Sequence, residues 1–149
     1  DYVALGKTEG AELACGGDRL TRDTDGYFMA PGVFLNTTND MRINREEMFA
    51  PLAAVIKVDS YSEALQVVND THFGLTSGIV TRSLSRATHF RRNARTGCVM
   101  VNLPTAGTDY HVPFGGRGDS SYGTREQGTY AAEFYTTVKT AYIASGTPE

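Results

Sequence analysis

Nothing in the 149 residues approaches the roughly 20 consecutive apolar positions that a membrane-spanning helix requires. An excess of positive charge is missing too. Fourteen basic against 17 acidic residues leave a formal net charge of −3, so neither nucleic acid nor an anionic membrane surface is an expected partner. Cysteine is scarce: Cys15 and Cys98 are too few for a disulfide framework in a chain of this size, and a reducing, cytoplasmic compartment is expected. His72, His89 and His111 are scattered, with no cysteine or carboxylate cluster beside them at ligand spacing, so no metal is expected. Asp1 to Lys7 lack the basic-then-apolar layout of a secretory signal, and the missing initiator methionine suits an internal start. Internal repeats and low-complexity segments are absent.

What is present fits a soluble globular protein one ordinary domain long, with 40% hydrophobic and 21% charged residues. Residues 1–10 read as the tail of a helix. Residues 11–15 read as a short strand closed by Gly16-Gly17, and 18–26 as a polar loop. Short extended pieces are expected at 27–29 and 33–36, and a turn at 39–44. Residues 52–58 form an apolar run broken only by Lys57, as in a parallel strand covered on both faces. Ser60 and Glu63 have capping-box spacing, and Tyr61, Ala64, Leu65 and Val68 then share one helical face. A strand at 78–81 follows. Ser83 caps a second helix with the stripe Leu84, Ala87, Phe90 and Ala94, and Gly97 stands where that helix would stop. Residues 97–102 read as a third strand, with Cys98 a small buried hydrophobe within it. Strand, helix, strand, helix, strand at these intervals predicts an α/β fold with a parallel β-α-β-α-β core.

Beyond Asn102 the regularity breaks. Residues 103–118 carry two prolines and four glycines and should form a long shaped loop, at the strand end where ligands usually bind. Asn102 itself should fix that loop by side-chain hydrogen bonds. The tail, Tyr135 to Ile143, is rich in β-branched and aromatic residues and reads as a strand with no obvious neighbour to pair with. Two parts are therefore expected, residues 1–134 and an oligomerisation strand and tail at 135–149.

Five segments occur in a telling order: Gly26-Tyr27-Phe28, Glu46-Glu47-Met48-Phe49-Ala50-Pro51, Val101-Asn102, Pro113-Phe114-Gly115-Gly116 and Arg125-Glu126-Gln127-Gly128. Together they resemble the C-terminal third of the aldehyde dehydrogenase superfamily, over nearly the whole chain. The resemblance implies a fragment of an NAD(P)-dependent enzyme that oxidises an aldehyde to an acid. The family's nucleophilic cysteine, general-base glutamate and dinucleotide-binding domain would lie upstream. It implies that Glu47 accepts hydrogen bonds from the nicotinamide ribose and that Phe49 packs near the nicotinamide. Phe114 would line the aldehyde tunnel, with the 103–112 loop, Pro104 included, shaping it. Glu126 would match a proton-relay position and Arg125 a structural arginine. The residues alone leave other readings open: a solvated acidic pair at Glu46-Glu47, a core aromatic at Phe114, and a loop-ordering ion pair at Arg125-Glu126.

The loop from Asn102 to Pro113, with Ser120-Ser121-Tyr122-Gly123, narrows the resemblance to bacterial α-ketoglutaric semialdehyde dehydrogenases, which generally prefer NADP. One departure stands out. Arg117-Gly118-Asp119 replaces the usual Arg-Lys-Gly, exchanging a positive charge for a negative one, which would make an anionic substrate less comfortable at a tunnel mouth. The expected partners are the aldehyde, the missing N-terminal part of the same enzyme and further copies of it. Alone, the chain should be inactive; the alternative is a stand-alone α/β binding or assembly module without catalytic activity.

Overall fold

The structure, a computed structural model, describes residues 1–146. The chain divides into two compact units, residues 1–71 and residues 72–149.

The first unit opens with α1 (Tyr2–Thr8) and β1 (Glu12–Cys15). The expected polar loop holds a short strand, β2 (Arg19–Leu20), which pairs with β3 (Phe28–Met29) as a small hairpin. Then come β4 (Gly32–Thr37), the single turn α2 (Arg42–Arg45), β5 (Leu52–Ile56) and α3 (Tyr61–Asn69). The sheet runs β1-β4-β5, with β1 antiparallel and β5 parallel to β4. Phe34, in the central strand, is fully buried and packs with Ala11 and Ile43. Gly6 lets α1 approach that ring: a Cβ there would sit 2.9 Å from the Phe34 ring and 3.2 Å from Ile43 Cδ1.

β5 departs from expectation. Its residues alternate, with Leu52, Ala54 and Ile56 half-buried while Ala53 and Val55 face outward. The composition is that of a strand covered twice, yet the described residues cover one face. α3 is capped as its sequence requires: the Glu63 N–H donates to Ser60 Oγ, and Glu63 Oε2 accepts from the Asp59 N–H.

In the second unit, β6 (Thr76–Ile79) and β7 (Cys98–Val101) pair in parallel and are joined by α4 (Leu84–Asn93). Phe90 and Ala94 are buried, but Leu84 is 81% exposed. Helical periodicity marks a stripe that would gain from cover, and the described residues supply it only toward the helix's end. That end comes at Asn93, ahead of the Gly97 stop, because Ala94 already has extended backbone. The expected β5-α3-β6-α4-β7 order is therefore present in an α/β fold with parallel strands, and its pairings divide it: β5 belongs to the first unit's sheet, β6 and β7 to the second's.

A loop follows β7, then a 3-10 turn (Gly128–Tyr130) and α5 (Ala131–Phe134). The strand expected at 135–143 does not form. Residues 136–146 take no regular structure, and Val138, Tyr142 and Ile143 are each more than nine-tenths exposed. A strand needs a partner backbone to satisfy its hydrogen bonds, and no described segment lies alongside. The last three residues of the expected 135–149 tail lie outside the described residues.

Candidate functional site

In the first unit the candidate segment is aimed by its neighbours. The carboxylate of Glu9, just past α1, accepts from the N–H groups of Arg42 (2.8 Å) and Ile43 (3.3 Å). It thereby satisfies two free donors at the start of α2. From the end of that turn Glu46 is braced twice. Arg42 Nε donates to its Oε1 at 2.6 Å, and Tyr2 Oη donates to its Oε2 at 2.8 Å. The Arg42 bond and then the Tyr2 bond hold the Glu46 carboxyl below the usual carboxylate range. In return, Glu46 raises the Tyr2 phenol and the Arg42 guanidinium above theirs. A second brace joins Arg45 Nη2 to Asp70 Oδ2 at 2.7 Å and holds the Asp70 carboxyl down.

At Glu46 the backbone turns from helical to extended. Side chains two apart on such a chain share a side. Met48 packs against the Phe34 core, and Glu46 is tied to α1 and α2. Glu47 and Phe49 consequently point the other way. Glu47 is exposed, with no hydrogen bond or ion pair among the described residues, and Phe49 is 96% exposed. Two tight turns follow, in which the Ala50 N–H meets Met48 O at 2.6 Å and the Leu52 N–H meets Ala50 O at 2.7 Å. Phe49 borders a shallow, open cleft of about 420 Å³ whose other walls include Val3, Tyr27, Met29 and Pro51; Glu47 is not part of its lining.

In the second unit, β6 and β7 end at a different cleft, of about 680 Å³, walled by Val80, Arg82, Leu103 and Pro104. Asn102 sits at positive φ (57°) and clamps the two strand ends: its Nδ2 donates to Thr81 O at 3.0 Å and its Oδ1 accepts from the Thr81 N–H at 2.8 Å. Both bonds go to the end of β6, whereas the position suggests bonds to the loop that follows.

Phe114 does not line that cleft. It is half-buried and pairs through its backbone with Glu126, in two reciprocal N–H···O bonds of 2.8 Å, while the Glu126 side chain is exposed. Arg125 orders the loop with no ion pair among the described residues. Its Nη1 donates to Gly116 O at 2.6 Å, above Gly97. A Cβ on Gly97 would meet Gly115 O at 1.8 Å, so the loop rests directly on the start of β7. The Cys98 thiol donates to Gly115 O at 3.8 Å.

The structure thus brings Glu47 together with Phe49, and Phe114 with Glu126; Pro104 stands at the strand-end cleft. Sequence reasoning missed the braces on Glu46. The Arg42–Glu46 half was visible as an i,i+4 pair, but Tyr2 lies 44 positions away. It missed Gln127 as well, which has positive φ (66°) and a buried, unpartnered Oε1.

Residues 1–141 match the aldehyde dehydrogenase family profile. An α-ketoglutaric semialdehyde dehydrogenase of Bacillus subtilis is 42% identical over 144 residues, covering 95% of this chain and 30% of that protein. An α-ketoglutarate semialdehyde dehydrogenase of Haloferax volcanii is also 42% identical, over 145 residues, with the same coverage. Among solved structures, an indole-3-acetaldehyde dehydrogenase mutant of P. syringae in complex with NAD+ and IAA superposes with a TM-score of 0.87 at 39% identity, over 95% of this chain and 28% of that one. The chain spans about 30% of the length of the curated relatives it matches. Match and superposition agree with the motif order: this chain belongs to the aldehyde dehydrogenase family.

Proposed function

We propose that this chain is the part of an NAD(P)-dependent aldehyde dehydrogenase that holds the nicotinamide half of the cofactor and shapes the approach of the aldehyde, and that the aldehyde is α-ketoglutaric semialdehyde. The observation that carries this is the outward presentation of Glu47 and Phe49 from a segment in which Glu46 and Met48 are held inward. Both residues fit the group. An unpartnered carboxylate has two acceptor oxygens for a vicinal diol, and an open aromatic ring can lie against a flat one. When bound, the oxidised nicotinamide supplies the hydride acceptor. Glu47 then fixes the ribose, and Phe49 limits the ring's freedom on one side. Phe114 and the loop carrying Pro104 border the substrate, and Glu126 stands as a proton relay.

The nucleophile and the general base come from elsewhere in the parent enzyme, so the 149-residue chain alone is inactive. Semialdehyde relatives at 42% identity support the substrate, and an NAD+ complex among the structural relatives supports the cofactor class, NADP or NAD. The parent is a cytoplasmic homo-oligomer in which a second copy pairs with the exposed 135–143 segment. To test this, the parent protein is assayed with α-ketoglutaric semialdehyde and each cofactor, beside the isolated chain. Reduced cofactor should form with the parent only. Turnover by the chain alone, or a parent inert toward this aldehyde, would overturn the reading.

A further inference from the structure

The cleft at the ends of β6 and β7 has a makeup that the family assignment does not explain. One wall is apolar and open: Val80 is 90% exposed and Leu103 67% exposed, with Pro104 beside them. Set among these is Arg82, exposed and with no hydrogen bond or ion pair among the described residues. The rim is rigid. Asn102 clamps both strand ends through Thr81, and the loop after β7 folds back until Thr105 Cγ2 lies 3.0 Å from where a Gly78 Cβ would be. A short apolar wall and one unpaired guanidinium, on a preorganised rim at the carboxyl ends of parallel strands, describe a site for a short-chain carboxylic acid.

We propose that Arg82 is a specificity-determining residue, binding the carboxylate of an acid-tailed aldehyde whose methylenes lie along Val80 and Leu103. The substrate part of this rests on the proposed function; the carboxylate site itself does not. Arg82 would supply the positive charge that Arg117-Gly118-Asp119 lacks.

Two measurements on the parent protein separate the claims. The first is calorimetric binding of 2-oxoglutarate to the wild type and to Arg82→Met, with the exposed Arg91→Met, within α4, as control. Losing a charge-assisted bond should weaken binding roughly tenfold or more in Arg82→Met and leave the control unchanged. Equal binding by all three proteins, or no binding by the wild type, overturns the site whether or not the parent oxidises any aldehyde. The second is kcat/KM for α-ketoglutaric semialdehyde against pentanal. Arg82→Met should raise KM for the acid-tailed substrate alone, with Arg82→Lys restoring part of the loss. An equal loss on both aldehydes, with cofactor KM unchanged, would make Arg82 structural and overturn its role in specificity.

Discussion

The segment from Arg42 to Pro51 and the loop from Leu103 to Gly128 both carry family motifs, yet they are held in different ways. The first is held by side chains: Glu9 caps the turn, Arg42 and Tyr2 grip Glu46, and Arg45 grips Asp70. The second is held at main-chain atoms. Phe114 and Glu126 bond through their main chains, Arg125 reaches a carbonyl, and Gly97 lies against Gly115 with no room for a Cβ. Charge bracing leaves the carried side chains free to point outward, but it depends on protonation. Backbone bracing is indifferent to acid and intolerant of added atoms.

The largest effect should come from Phe34→Ala, which empties the core beneath the first segment. A loss of about 3–5 kcal/mol in denaturant unfolding is expected, and a loss below about 1 kcal/mol would show that Phe34 is not the anchor. Gly97→Ala tests the other arrangement. The added methyl meets a backbone oxygen that cannot rotate away, so roughly 1–3 kcal/mol should be lost, together with amide protection at Gly115 and Gly116. A neutral result would mean that the loop does not rest there.

The contrast in pH is smaller but more specific. Glu46 is held below its unfolded value, so its contribution is fully present above that value and is lost as pH falls through the folded one. In Arg42→Met the Glu46 carboxyl should titrate higher, though still held down in part by Tyr2, as followed by NMR of the carboxyl carbon. An unchanged titration would remove Arg42 from the brace. Amide protection across Gly97 and Gly116 should stay flat over the same acid range, since the Arg125–Gly116 bond contains no titrating acid.

Much of this was legible from local pattern. The Ser60 and Ser83 caps and the β6-α4-β7 unit depend on patterns close together along the chain. What escaped depends on distance along the chain. Tyr2 completes the hold on Glu46 from 44 positions away, and Glu9 caps the start of α2. Exposure escaped for another reason. Leu84, the outer face of β5 and the 135–143 segment have compositions suited to burial or pairing, and a sequence records that requirement without saying which chain meets it.

The most direct test concerns Glu47 itself. In the parent enzyme, Glu47→Gln should raise the cofactor KM roughly tenfold and leave thermal stability unchanged, because the carboxylate has no partner within the described residues to lose. An unaltered cofactor KM would contradict the claim that this segment exists to present Glu47 and Phe49 to the nicotinamide.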